Sequence, residues 1–277
     1  MIFAHISDIH LRPEGDLAHD VADTAGGLTG AVERLAALDP PANAVLITGD
    51  LVDDPDADSY AQLRCLLDPL SVPVYLVPGN RDDRATLRAA FADAGYLPGD
   101  GAFLHYAVEH LAVRLLALDT VKPGAKTGEM CAERLAWLED CLDEAPGRPT
   151  VILMHHPPFK TGVPFMDGQD FAGADAFAEI VGAYRNVERV LCGHLHRPIQ
   201  RRFAGTLACV APSTAFHMPL DLRPGAELGL VLEPPAGFLH VWSAGTGMVT
   251  HTLPLVAHPG PFPFRRRPAP AAAPGET

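Results

Sequence analysis

Between residues 2 and 192, short β-branched or apolar runs alternate with amphipathic stretches, and that alternation restricts the fold of this chain more than any other feature. The runs are Ile2–Ile6, Ala44–Thr48, Val74–Val77, Val113–Leu118, Thr150–Met154 and Val187–Cys192. Between them lie Gly27–Leu38, Asp56–Leu67, Asp83–Ala94, Glu129–Glu144 and Gly173–Tyr184. In Glu129–Glu144 the apolar Leu135, Leu138 and Leu142 recur at helical spacing and give one face to bury. Strands separated by helices bury their apolar faces as a sheet covered by helices, so the expected class is α/β. After about Leu207 the pattern changes to strand-like pieces at Leu207–Ala211, Leu228–Leu232, Phe238–Trp242 and Met248–Leu253, which predict a second, more antiparallel sheet.

The chain has 277 residues, 48% of them hydrophobic, enough for one large domain with a substantial core. That domain is placed at residues 1–257. Residues 258–277 (HPGPFPFRRRPAPAAAPGET) are rich in Pro and Ala; Pro removes backbone donors, so this tail is expected to be loosely ordered or docked on the body or a neighbouring subunit.

A formal net charge of -13 argues against a nucleic-acid polymer as partner, because binding one requires phosphates neutralised by Lys and Arg. A small anionic ester is not excluded, since bound metal cations reverse the local sign. No run approaches the roughly 18 to 20 apolar residues needed to span a bilayer, and the N-terminus lacks the basic region of a signal peptide. The cysteines (Cys65, Cys131, Cys141, Cys192, Cys209) are scattered without a CxxC pair, as expected for reduced thiols of a cytoplasmic protein.

Chemistry enters where strands give way to loops. Asp8-Ile9-His10 follows the first run, Gly49-Asp50 the second and Gly79-Asn80 the third; His155-His156-Pro157-Pro158 follows Met154, and Gly193-His194-Leu195-His196 follows Cys192. Loops at the carboxyl ends of neighbouring strands converge on one sheet edge, where ligand sites form. In an extended segment, residues two apart point the same way, so Asp-x-His and His-x-His can each face one centre. Glycine before Asp50, Asn80 and His194 permits tight turns and close backbone approach. Each motif alone has an ordinary explanation as a turn or a surface pair; all five in order do not. Carboxylate, amide and imidazole donors without thiolate suit Mn, Fe, Co or Zn. The donors outnumber the needs of one cation, which points to a binuclear hydrolytic site.

These motifs resemble those of the calcineurin-like metallophosphoesterase superfamily. HISDIHLR, GDLVDD, PGNRDD, MHHPP and CGHLHRP are most similar to its bacterial branch of class III cyclic-nucleotide phosphodiesterases and glycerophosphodiesterases. The resemblance covers roughly Met1 to Leu253. It implies a four-layer αββα sandwich of two mixed sheets flanked by helices, the first five strands and helices forming one half and the later strands the other. It also implies two divalent metal ions (Mn, Fe, Zn or Co): one held by Asp8, His10 and His196, the other by Asn80, His156 and His194, with Asp50 bridging. A hydroxide at the metals would attack phosphorus in line. His155 is expected to point away from the metals, in a supporting role.

The resemblance implies a phosphodiesterase acting on a small-molecule diester, a cyclic nucleotide such as 3',5'-cyclic AMP or a glycerophosphodiester. Rival readings are a phosphomonoesterase, a nucleotide pyrophosphatase, or a catalytically silent scaffold, the last weakened by a full set of ligand residues. The family motif usually reads Gly-Asn-His, and here Arg81 replaces that His. Arginine stays protonated and cannot act as a general acid, but it can hold a phosphate oxygen bidentately. His217, similar to a substrate-side His of the branch, is a candidate for leaving-group protonation or an ordinary loop residue. Asp53 either contacts substrate or an active-site water, or caps the following helix. The Pro- and Gly-rich stretch His217–Gly237 is expected to shape the pocket or a contact in a homodimer or higher homo-oligomer.

Overall fold

The computed structural model describes residues 1–168 and 170–264. Strands β1 (Ile2–Ile6), β2 (Ala44–Ile47) and β3 (Val74–Leu76) alternate with helices α1 (Thr24–Ala36), α2 (Ala57–Leu67) and α3 (Arg84–Ala90). Strand β4 (Tyr106–Val108) opens a second series: β5 (Arg114–Ala117), α4 (Ala132–Glu144), β6 (Thr150–Leu153), the single turn α5 (Pro164–Asp167), α6 (Ala174–Ala183) and β7 (Val187–Cys192). The chain closes with β8 (Ile199–Phe203), β9 (Thr206–Val210), β10 (Ala236–Ser243) and β11 (Gly247–Pro254). Helices α1, α2 and α3 start at Asp23, Asp56 and Asp83, whose carboxylates accept the otherwise unpaired N–H groups of Gly26, Ser59 and Thr86.

Two sheets form, in the orders β11-β10-β1-β2-β3 and β4-β5-β6-β7-β9-β8. β1, β2 and β3 are parallel, as are β5, β6, β7 and β9, while the outer strands pair antiparallel. Strand alternation sorts the core into three apolar layers. Phe3, Leu46, Leu115, Leu153 and Leu191 meet between the sheets. Ala4, Ile6, Val45, Ile47 and Leu76 face the helices on one side, and Leu116, Ile152 and Val190 face those on the other. This is the four-layer αββα arrangement, with two mixed sheets flanked by helices.

The halves divide differently from expectation. The runs at residues 113–118, 150–154 and 187–192 belong to the second sheet, and the last two strands return to the first, where β10 pairs antiparallel with β1. β1 carries β2 on one side only, and the β10–β11 hairpin covers the open edge that would otherwise invite pairing with another chain. Leu228–Leu232 is no strand: only a lone bridge joins Val231 to His217, and Leu228 and Leu232 stay exposed. β4 and β8 went unrecognised, the first too short for a pattern and the second because Gln200, Arg201 and Arg202 are exposed and polar on an edge. Residues 258–264 are exposed and without regular structure, and the rest of the expected tail, 265–277, lies outside the described residues.

Candidate metal centre

The loops after β1, β2, β3, β6 and β7 meet at one edge, where the carboxyl ends of parallel strands from both sheets come together. They leave their strands abruptly. Asp8, His10, Asp50, His194 and His196 all adopt positive φ, between 49° and 73°. Non-glycine residues take that conformation at a cost of order 1–3 kcal/mol each, and such strain collects at functional sites. Close packing explains two of the glycines. A Cβ at Gly193 would stand 1.9 Å from Ser7 Oγ, and one at Gly79 would stand 2.2 Å from the Asp50 amide nitrogen.

One cluster is Asp8, His10 and His196, whose donor atoms lie within 4.8 Å of one another. His10 Nδ1–H donates to Asp53 Oδ1 at 2.8 Å, and His196 Nδ1–H donates to the Phe216 carbonyl at 3.2 Å. A carbonyl and a carboxylate only accept, so each ring keeps its lone pair on Nε2. Those two Nε2 atoms face each other at 3.1 Å. Two lone pairs that close repel unless a cation or a proton lies between them. Asp8 is held by the His194 backbone N–H, which donates to both carboxylate oxygens at 3.0 and 2.9 Å.

The second cluster repeats the logic. His155 Nδ1–H donates to the Thr48 carbonyl at 2.6 Å, which turns Nε2 toward Asn80 Oδ1 (3.3 Å) and Asp50 Oδ1 (3.5 Å), where the raised ring holds a second proton in the metal-free protein. Once that proton leaves, three acceptors face a common point. His155, His156 and His194 also bring donor atoms within 4.8 Å, as do Asp8, Asp50 and His155. Asp50 touches both clusters, since its Oδ2 lies 3.4 Å from His10 Nε2. Burial and donor chemistry therefore fit cations at both places.

Electrostatics agree. Burial pushes Asp8 up to about 6. Burial alone would lower His155, but the Asp50 charge outweighs it and lifts the ring to about 9. Burial opposes ionisation of Asp50, yet His155 holds that carboxyl well below the usual range. For His10, burial is outweighed by the Asp53 hydrogen bond and the Asp50 and Asp8 charges, so its pKa rises. Burial lowers His194 to about 3 and His196 and His156 well below the ordinary imidazole value. Neutral imidazoles are the form that binds metal.

Several expected residues stand elsewhere than foreseen. His155 does not point away: its Nε2 faces Asp50 and Asn80. His156 is where the ligand set expects it: its Nδ1 is engaged by Thr120 Oγ1 at 2.8 Å, and its Nε2 is buried without a partner in the group with His155 and His194. His194 and His196 stand in adjacent clusters, the division that the resemblance implies, and both carry the left-handed backbone. Asp53 does not cap α2, a role taken by Asp56, and its Oδ1 is engaged by His10. His217 is buried with Nδ1 unpaired, nearest in charge to Glu233 and Arg197, and among the described residues it does not line the cavity over the clusters.

That cavity, about 170 Å³, is lined by His10, Asp50, Asn80 and His194, by Arg81 and by Lys126. Arg81 is anchored by its backbone N–H to Asp50 Oδ1 at 2.8 Å. Phe216 packs against the His10 and His196 rings at centroid distances of 5.4 and 4.7 Å. Lys126 and Phe216 went unnoticed in the sequence because neither belongs to a motif. Asp82 carried a signal, as a second acid just beyond Gly79-Asn80; it is buried and accepts from the Gly79 and Leu51 N–H groups and the Tyr60 hydroxyl.

Residues 1–198 match the model of the calcineurin-like phosphoesterase family. A protein of Arcobacter nitrofigilis named "Probable glycerophosphodiester phosphodiesterase" is 32% identical over 265 residues, covering 95% of this chain and 97% of that one. A "Probable cyclic nucleotide phosphodiesterase" of Rhodopseudomonas palustris is 32% identical over 255 residues, 91% of each chain. Among solved structures, a dimetal phosphatase from Danio rerio superposes with a TM-score of 0.61 at 14% identity, covering 92% of this chain and 99% of that one, and shows the shared fold. The chain belongs to the calcineurin-like phosphoesterase family, hydrolases of phosphoesters that use divalent metals.

Proposed function

We propose that the chain hydrolyses small phosphodiesters, a glycerophosphodiester or a cyclic nucleotide such as 3',5'-cyclic AMP, at a binuclear metal centre. The observation that carries this reading is the pair of adjacent acceptor clusters sharing Asp50, in a chain similar over nearly its whole length to proteins named for both activities. Asp8, His10 and His196 would hold one cation, and Asn80, His156 and His194 the other, with Asp50 between. His156 offers that site a buried Nε2 without a protein partner, and His155, whose Nε2 lies 3.3 Å from Asn80 Oδ1 and 3.5 Å from Asp50 Oδ1, stands beside it as a further candidate donor. Bound cations of this kind supply Lewis acidity and lower the pKa of coordinated water.

The chain's own residues prepare that chemistry. Asp53 and the Phe216 and Thr48 carbonyls fix three ring tautomers, so His10, His196 and His155 each present Nε2. Arg81, at the cavity wall beside Asp50, holds a phosphoryl oxygen by a charge-assisted contact and stabilises the charge that develops there. Arginine retains its proton, so protonation of the leaving group falls to solvent. Among the described residues no helix is long and apolar enough to cross a membrane. Leu220, Leu222 and Leu232, exposed on the segment beside the cavity, support self-association, which light scattering would test.

The test is hydrolysis by metal-reconstituted protein of cyclic AMP, a glycerophosphodiester and a chromogenic diester–monoester pair, with Asp50→Ala as control. Diester cleavage lost in the control supports the reading. Cleavage of the monoester alone would overturn it.

A further inference from the structure

The cavity wall carries more positive charge than a phosphodiester needs. Two divalent cations at the clusters would offset the charges of Asp8, Asp50 and Asp53, so Arg81 and Lys126 add positive charge at the wall. A plain diester brings a single negative charge, which Arg81 suffices to meet. Arg81 also feels the carboxylate of Asp53, whose pKa its charge helps to lower. Lys126 sits by His194, whose pKa its charge helps to depress.

Lys126 is the unusual member. It lies on the loop between β5 and α4, is exposed, and lines the cavity. Among the described residues its ammonium has no carboxylate within ion-pair distance. The other lysine of that loop, Lys122, lies 3.7 Å from Glu129. In a chain of net charge -13, with 34 acids to 21 bases, an unneutralised cation at the mouth of the site marks a place where an anion is received. The wall also holds Phe165, Met166, Leu195, Met218 and Leu228, so the volume beyond the phosphoryl position is largely apolar.

We propose that Lys126 is a specificity-determining residue, and that the substrate is a phosphodiester bearing a second anionic group, phosphate or carboxylate, joined to the ester by a short apolar spacer. This rests on the phosphodiesterase reading and narrows it, favouring diesters with a second anion over cyclic AMP, which has none. Arg81 takes the reacting phosphoryl group, Lys126 takes the second anion, and the apolar wall covers the spacer. Hydrogen bonds between charged groups are the stronger ones, while solvent at an exposed lysine weakens the contact.

The experiment compares two chromogenic diesters with the same leaving group and spacer length, p-nitrophenyl propyl phosphate and p-nitrophenyl 2-carboxyethyl phosphate, on metal-loaded protein. The wild type is expected to favour the carboxylate ester in kcat/KM by roughly tenfold at low salt, through KM, with the preference fading as salt screens the contact. Lys126→Gln should abolish the preference, Lys126→Arg should restore most of it, and Lys122→Gln should leave it intact. Calorimetry gives a readout independent of turnover: the ratio of pyrophosphate to phosphate affinity should fall by a similar factor in Lys126→Gln. Equal kcat/KM for the two esters in the wild type, or a preference that survives in Lys126→Gln, would overturn the assignment while leaving the phosphodiesterase reading standing. Turnover of neither diester beside active monoester cleavage would overturn that reading, and this inference with it.

Discussion

Uptake of metal by this protein should release protons, and the amount follows from the charges around Asp50. With no cation present, His155 is lifted to about 9 by its buried contact with Asp50, and Asp8 is lifted to about 6 by burial. A cation needs the Asp8 carboxylate, and one bound at Asp50 cancels the charge that holds the His155 proton, so both protons must leave. At pH 7 the His155 ring is about 99% protonated, which lowers apparent affinity roughly a hundredfold relative to the deprotonated site. Between pH 9 and pH 7, affinity should therefore fall about tenfold per unit. Below pH 6 the slope should steepen, as Asp8 joins and His10, also raised, contributes further. Stability of the metal-free protein runs the other way. His155 has a folded-state pKa above its unfolded value of 6.5, so its contribution is full below 6.5 and is lost as pH rises through about 9. The assay is titration calorimetry with Mn²⁺ at pH 7 in two buffers of different ionisation enthalpy, which counts the protons released. At least about one proton per protein is expected from His155, and about one fewer in His155→Gln. Heats independent of the buffer would refute the reasoning.

Other consequences are local. Arg81→Ala should lower kcat/KM for diesters with good and poor leaving groups alike by roughly 10- to 100-fold, since removing a charge-assisted contact costs about 1.5–3 kcal/mol; unchanged turnover of both would exclude its contact with the phosphoryl group. Asp53→Ala frees His10 Nδ1 and should weaken one cation site about 10- to 100-fold while sparing the other, read by metal titration. Gly193→Ala puts a methyl 1.9 Å from Ser7 Oγ and should displace the loop that carries His194 and His196, so that metal content falls in purified protein; a variant with full occupancy would contradict the packing argument.

Much of this architecture was legible because the motifs and the fold have one cause. Parallel strands place their carboxyl ends together, so polar residues after Ile6, Ile47, Leu76, Leu153 and Cys192 had to meet. What escaped depended on interactions that local pattern does not encode. The return of β10 to β1 is a pairing across more than 230 residues. The orientation of His155 depends on one hydrogen bond to Thr48, far away in sequence. Asp53 could be placed near the site but not paired with His10, because the two lie on loops after different strands. Lys126 had no motif to announce it.

Activity titrated against bound metal tests the central claim most directly. Metal-free protein receives increasing equivalents of Mn²⁺ or Zn²⁺, and hydrolysis of a chromogenic diester is followed alongside metal content, with Asp50→Ala in parallel. Diesterase activity is predicted to rise to a plateau at two equivalents per chain and to be lost in the variant, as expected if Asp50 joins two cation sites. Full activity without metal, a plateau at one equivalent, or an unaffected Asp50→Ala variant would contradict a shared binuclear centre.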